Sequence, residues 1–179
     1  MGFEFKFLDF LQSIRTPVGD AIIPLITYLG EFGAVWIILA VVLLIMRKHR
    51  QVGVAVAIAL IIDLILCNGI LKNIFARTRP CDINTDIVLL IKHPSEYSFP
   101  SGHSAASFAA ATAVYFSGAK RLGTICYLLA AVIAYTRLYL YVHFPTDVLG
   151  GALAGLLAGF IACKLTKFIF AKRAVKCQK

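Results

Sequence analysis

The sequence predicts an all-α, polytopic transmembrane helical bundle of five to six spans, preceded by an N-terminal interfacial helix. Three observations point there. Of the 179 residues, 60% are hydrophobic and only 15% charged, with a mean hydropathy of +0.83, more apolar surface than a soluble domain of this length needs. The apolar residues fall in long runs with few charges, the pattern of membrane helices. The basic residues cluster as Arg47-Lys48-His49-Arg50, as Lys120-Arg121, and in a tail holding Lys164, Lys167, Lys172, Arg173, Lys176 and Lys179. Each cluster abuts a hydrophobic run and contains no acidic residue, which is the cytoplasmic mark of the positive-inside rule. The net charge of +9 therefore reads as topology, and nucleic acid is not an expected partner.

Taken in order, residues 1–17 form the first unit. Phe3, Phe7, Phe10, Leu11 and Ile14 lie roughly on one helical face with Glu4, Asp9 and Gln12 elsewhere, so a short helix is expected along the bilayer surface, ended by Pro17. Phe5 departs from that face. Because Glu4, Lys6 and Asp9 interrupt the run, a cleaved signal peptide is not expected. Residues 18–170 form the membrane domain and 171–179 a basic cytoplasmic tail. Residues 18–29 are apolar but too short to cross alone; they are either re-entrant or an extension of a first span at about 25–46. A second span is expected over 52–71, a third at about 102–117, a fourth at about 122–140 and a fifth at about 147–169.

Between the second and third spans lies a polar segment, 72–100, too long for an idle connection. With the basic turns inside, it and the short loop at 138–147 face outside, and none of the nine acidic residues falls in a cytoplasmic connection. Gly151, Gly155 and Gly159 recur every four residues, and Ala105, Ala106, Ala109, Ala110 and Ala113 make the third span equally slim. Small residues let helices approach closely in lipid. Packing within one chain is preferred here to a dimer seam, so an oligomer is possible but unsupported. The five cysteines (Cys67, Cys81, Cys126, Cys163 and Cys177) show no metal-ligand spacing, and only Cys81 falls outside, so no structural disulfide is expected.

Three blocks carry the chemistry. Pro100-Ser101-Gly102-His103 opens the third span. Proline is tolerated where a helix starts, and the free N–H groups there, with the positive end of the helix dipole, make an anion site. Gly102 lets the backbone approach a ligand, Ser101 offers a hydroxyl, and His103 can carry a proton near neutral pH. The second block holds Lys72, Arg77, Arg79 and Pro80. The third runs from Thr136-Arg137 to His143, Phe144, Pro145 and Asp147. Fixed cations beside a helix N-terminus and two histidines describe a pocket for a multiply charged oxyanion, most simply phosphate. Asp147, about one turn beyond His143, can accept the proton of one imidazole nitrogen and leave the other free to attack. His103 can then protonate a leaving oxygen.

These residues resemble the type-2 phosphatidate phosphatase / vanadium haloperoxidase superfamily, whose signature is Lys-x6-Arg-Pro, Pro-Ser-Gly-His and Ser-Arg-x5-His-x3-Asp. Here the parts are Lys72 to Arg79-Pro80, Pro100 to His103, and Thr136-Arg137 to His143 and Asp147, with threonine at 136 where the family usually has serine. The resemblance covers roughly residues 60–165. It implies that His143 is the nucleophile forming a phosphohistidine, Asp147 its orienting group and His103 the general acid. It implies that Lys72, Arg79, Ser101, Gly102 and Arg137 hold the phosphate oxygens. It implies no metal or other cofactor. The spans favour the integral lipid phosphatases, similar to undecaprenyl pyrophosphate phosphatases, in a multi-pass plasma-membrane protein whose site faces the extracytoplasmic side. Phosphatidate or phosphatidylglycerol phosphate is the alternative substrate. A non-catalytic lipid-binding or transport protein and a phosphotransferase are the rival classes. Asp63, inside the second span, is expected to be buried and hydrogen-bonded, with a tyrosine or threonine as its partner; Glu31 poses the same question nearer the outer face.

Overall fold

The computed structural model describes the backbone of residues 2–176 and the side chains of residues 2–172. No strand occurs among the described residues. The helices are α1 (Gly2–Ser13), α2 (Pro17–Leu29), α3 (Ala34–Ile45), α4 (Arg50–Asp63), α5 (Lys72–Phe75), α6 (Pro80–Ile83), α7 (Gly102–Phe116), α8 (Lys120–Tyr139) and α9 (Pro145–Lys176). The part of the basic tail at 177–179, with Cys177 and Lys179, lies outside the described residues, as do the side chains of Arg173 and Lys176.

The protein is an all-helical bundle. Three helical segments are long and apolar enough to span: Arg47–Ile83, Lys120–Tyr139 and Pro145–Lys172. Pro17–Leu29 and Glu31–Ile45 are long and apolar enough only when taken together, and are bent by 43° at the break between them. The break falls where Phe32 and Gly33 take positive φ values of 51° and 68°. Residues 18–29 are thus one arm of a bent helix pair, the geometry of a broken span or a re-entrant loop. Length and apolarity alone do not confirm the expected count of five to six: α7 has only 15 residues, about 22 Å of helix against a hydrocarbon core of about 30 Å. That helix is instead the centre of the bundle: Ser104, Ala105, Ser107, Ala109, Ala110, Ala111, Thr112, Ala113 and Val114 are all buried.

Small residues put it there. A Cβ at Gly151 would lie 2.4 Å from the Ser101 carbonyl oxygen, and one at Gly155 would lie 2.2 Å from that of Ala105. At Gly159 it would meet Thr112 at 2.5 Å. The glycine stripe of α9 is therefore filled by α7 of the same chain. On the other side, buried Trp36 of α3 donates from Nε1 to Ser107 Oγ of α7 at 2.9 Å.

The N-terminal helix packs on the bundle through one face and leaves the other open. Leu8 and Leu11 are buried, while Phe3, Phe7, Phe10 and Ile14 stay exposed. Phe5, the residue that departs from the expected stripe, packs edge-on against Phe144 at 5.2 Å. Two tyrosines pin this end of the chain: Tyr141 donates to Asp9 (2.7 Å) and Tyr139 to Asp20 (2.7 Å).

Between α4 and α5 the chain widens into a π-helical stretch, Leu64–Leu71. Such turns carry an extra residue and rotate the helix downstream of them, so Lys72 comes round far enough for its charge to act on Asp63. Asp63 is buried, yet its Oδ1 has no partner, and no tyrosine or threonine bonds it. Cys67, Cys81, Cys126 and Cys163 are buried free thiols.

Candidate active site

Lys72, α6, the α7 N-terminus, the end of α8 and the first turn of α9 meet at one end of the bundle. Each local structure has a sequence cause. Ala76, with φ of 40°, ends α5 directly after Lys72 and turns the chain back. Arg79 is the N-cap of α6 with Pro80 behind it, and Asp82 Oδ2 accepts from the Arg79 N–H at 3.3 Å. Ser101 caps α7, accepting from Ser104 N at 3.4 Å. Tyr141, at φ of 60°, turns the chain out of α8 so that His143 precedes Pro145 and α9.

The predicted residues converge. Ser101 N donates to the Asp147 carbonyl at 3.0 Å, tying the starts of α7 and α9 together. A Cβ at Gly102 would sit 3.7 Å from Lys72 Nζ and 3.3 Å from Asn68 Oδ1, so the lysine reaches over the α7 N-terminus. Arg79, only 3% exposed, donates through Nη1 to the Val142 carbonyl (2.9 Å) and to His143 Nε2 (3.1 Å). Arg137, also 3% exposed, gives Nη1 to Thr27 Oγ1, while its buried Nε has no partner. A buried guanidinium N–H without an acceptor is a donor in want of an anion. Thr136, in place of the usual serine, bonds Ile133 O (2.6 Å) and Thr27 Oγ1 (3.1 Å), so its hydroxyl anchors the same threonine that Arg137 uses. The His103 ring lies against Gly30, and the charges of Arg137, Lys72 and Arg79 all act on it, as does His143.

The geometry also assigns the His143 tautomer. A guanidinium can only donate, so Nε2 facing Arg79 carries the lone pair and the ring proton is on Nδ1. That atom is 3.7 Å from Asp147 Oδ2, close but longer than a hydrogen bond; a movement of about 1 Å closes it. Burial pushes the His143 imidazole down to about 3, against the pull of Asp147 and with the help of Arg79 and Arg137, so the ring is neutral at pH 7.

What sequence reasoning missed is the second layer of support. Asp147 is fully buried, and its Oδ2 accepts from Ser98 Oγ (2.5 Å) and Phe144 N (2.8 Å). Its Oδ1 accepts from Arg77 Nη1 at 2.5 Å. Arg77, which the spacing groups with Lys72 and Arg79, is thus committed to Asp147. It also stacks 4.1 Å over the Phe144 ring and pairs with Glu4 of α1 at 2.7 Å. Glu4 in turn accepts from Thr146 N (3.2 Å) and Oγ1 (2.6 Å). Only the presence of Arg77 inside the Lys72–Arg79 block hinted at this chain of contacts. Beside the site, a cavity of about 470 Å³ is lined by Asn68, Lys72, Asn73, Ser95, Glu96 and Tyr97. Cys81, Asp82 and His93 lie within ligand distance of one another, a cluster the linear spacing does not reveal; a 2.8 Å contact between His93 Nε2 and Asp82 Oδ1 accounts for the proximity.

Residues 49–170 match the PAP2 superfamily. The chain belongs to that superfamily. Among curated PAP2 relatives, it is 36% identical over 135 residues to the putative undecaprenyl-diphosphatase YbjG of Escherichia coli, covering 74% of this chain and 65% of that one. It is 34% identical over 178 residues to the lipid A 4'-phosphatase of Bacteroides thetaiotaomicron, covering 90% and 77%. Of solved PAP2 structures, Aquifex aeolicus LpxE superposes with a TM-score of 0.79 at 32% identity, covering 90% of this chain and 95% of that one. The phosphatidylglycerolphosphate phosphatase of Bacillus subtilis gives 0.76 at 29% identity, covering 94% and 86%. The protein is accordingly a membrane PAP2 lipid phosphatase, a phosphoric monoester or diphosphate hydrolase.

Proposed function

We propose that this phosphatase removes the terminal phosphate of undecaprenyl pyrophosphate at the extracytoplasmic face, through a phosphohistidine on His143. One observation carries the mechanism: His143 Nε2 is a lone-pair nitrogen beside Arg79, with Nδ1 turned to a clamped Asp147. In the reaction Arg79 shifts its Nη1 from that nitrogen to a phosphate oxygen. The nitrogen attacks phosphorus, the P–O bond to the leaving group breaks, and His103 gives the leaving oxygen its proton. Water then attacks phosphorus, His103 takes the water's proton, the P–N bond breaks with its electron pair returning to His143, and phosphate departs. Lys72, Arg79, Arg137, the Ser101 hydroxyl and the Gly102 backbone hold the equatorial oxygens and their growing charge.

The orientation is supported by chain direction. Both α7 and α9 start at the site, and α7 ends just before Lys120-Arg121, the basic turn that favours the cytoplasm. The polyprenyl substrate is supported by the relatives named undecaprenyl-diphosphatase. Phosphatidylglycerol phosphate is the second reading, favoured by the Bacillus subtilis structure. A pure lipid-binding protein has no use for the His143–Asp147 pair.

The test is phosphate release in detergent, without added metal, across polyprenyl, glycerol and sphingoid phosphates. Undecaprenyl pyrophosphate is expected to be preferred, and His143→Ala to lose at least about 10³-fold in rate. Acid-labile phosphate should be trapped on the wild-type protein alone. Full activity of His143→Ala overturns the mechanism; a preferred glycerol phosphate overturns the polyprenyl assignment.

A further inference from the structure

Lys72 does not stand free at the mouth of the site. Its ammonium is paired with the carboxylate of Glu96. The backbone of the same segment is seated on a second cation: Arg79 Nε donates to the Glu96 carbonyl at 2.7 Å, and Nη2 to that of Tyr97 at 3.3 Å. Residues 95–97 thus lie as a strap across two of the cations assigned to phosphate, and Ser95, Glu96 and Tyr97 form one wall of the adjoining cavity. The two partners of the ion pair differ sharply. The Lys72 side chain is 9% exposed and the Glu96 side chain 64%. The ammonium is held in place, whereas the carboxylate can swing into water without losing a buried contact.

We propose that Glu96 is a built-in stand-in for phosphate that sets a charge threshold for entry, so that only a group carrying more than one negative charge takes Lys72 from it. This deepens, and rests on, the phosphatase reading above. A phosphomonoester or terminal diphosphate brings about two charges and three free oxygens to the cradle of Lys72, Arg79 and Arg137. A phosphodiester headgroup brings one charge on two oxygens, no more than the carboxylate it would displace. The distinction matters for a site opening onto a bilayer, where diester headgroups are the surrounding medium and the monoester or diphosphate is the rare species. Half-exposed ion pairs are weak, so the threshold is low enough for the proper substrate to cross. The hydrogen bond from Lys72 holds the Glu96 carboxyl below the usual range against the opposing effect of partial burial, so the stand-in is charged at neutral pH.

The experiment uses full-length protein in detergent, comparing wild type with Glu96→Gln, which keeps the shape and the hydrogen bond but not the charge. Inorganic phosphate and dihexanoyl phosphatidylglycerol serve as the monoester-like and diester probes. Each is read as an inhibitor of phosphate release and, independently, by calorimetric binding. Glu96→Gln is expected to tighten inorganic phosphate about three- to tenfold, to lower KM more than it changes kcat, and to turn the diester from a non-inhibitor into a competitive one. If wild type hydrolyses lipid phosphates but Glu96→Gln leaves both inhibition constants unchanged, the threshold is wrong and the phosphatase reading survives. If wild type hydrolyses nothing yet the substitution tightens phosphate and admits the diester, the threshold stands without the phosphatase. Wild type that is already inhibited equally by the diester overturns the proposal outright.

Discussion

Along the contact of α7 with α9, an added Cβ at Gly155 would come within 2.2 Å of a backbone oxygen, and no charged side chain intervenes. At the end of the same two helices, Asp147 takes three hydrogen bonds, one of them from a guanidinium that is itself shared with Glu4. The first region is held by closeness and the second by charge. In hydrocarbon there is no hydrophobic gain in bringing helices together, so shape must supply the attraction. At the water-facing end, ions can be paired and satisfied, and precision of aim matters more than strength. The two regions should therefore fail differently.

The largest expected effect is in the first. Gly155→Val should cost about 3 kcal/mol or more, read as loss of folded, monodisperse protein in detergent. The matched control is Gly69→Ala, whose new Cβ would find only an ordinary contact at 3.9 Å and should melt within a few degrees of wild type. Equal behaviour of the two variants would break the contrast.

In the second region folding should survive while catalysis falls. Arg77→Ala releases Asp147 Oδ1 and the Phe144 ring, and is expected to lower kcat about 10- to 100-fold, by analogy with outer-shell groups that orient a ligand, with KM little changed. Glu4→Gln, one contact further out, should cost only a few-fold. A KM effect in place of a kcat effect would make Arg77 a substrate-binding cation after all.

A smaller effect concerns acid. The folded-state value of His143 is lowered to about 3 by burial, below the unfolded value of about 6.5. The unfolded chain thus binds the extra proton, and the stability contributed by the neutral ring is complete above about pH 6.5. It is lost as pH falls toward 3, by up to about 1.4 kcal/mol per unit. Melting curves of wild type and His143→Gln should diverge in that window, wild type falling faster. Parallel curves would mean that the ring is not buried neutral.

The motif residues were legible because each sits at a helix end whose local chemistry is written beside it. Pro100 and Ser101 start α7, Pro145 starts α9, and the Ala76 turn separates Lys72 from Arg79. The supporting residues were not, since Glu4 meets Arg77 across 73 positions and Arg77 meets Asp147 across 70. Tyr139 and Tyr141, which at a span end suggest an aromatic belt, are committed to Asp20 and Asp9. The number of crossings was not legible for a related reason. Hydropathy counts apolar runs, and α7 is apolar because it is surrounded by helices rather than by lipid.

By itself the chain determined its solvent, its helices and the identity of the candidate-site side chains, because hydropathy, helix starts and motif spacing act over a few residues. Only the tertiary structure decided which partner fills the glycine stripe, which arginine lies beside His143 and which holds Asp147, and what lies across Lys72. Those choices depend on distances between segments far apart in sequence, and a side chain's charge is the same whichever neighbour the fold brings to it.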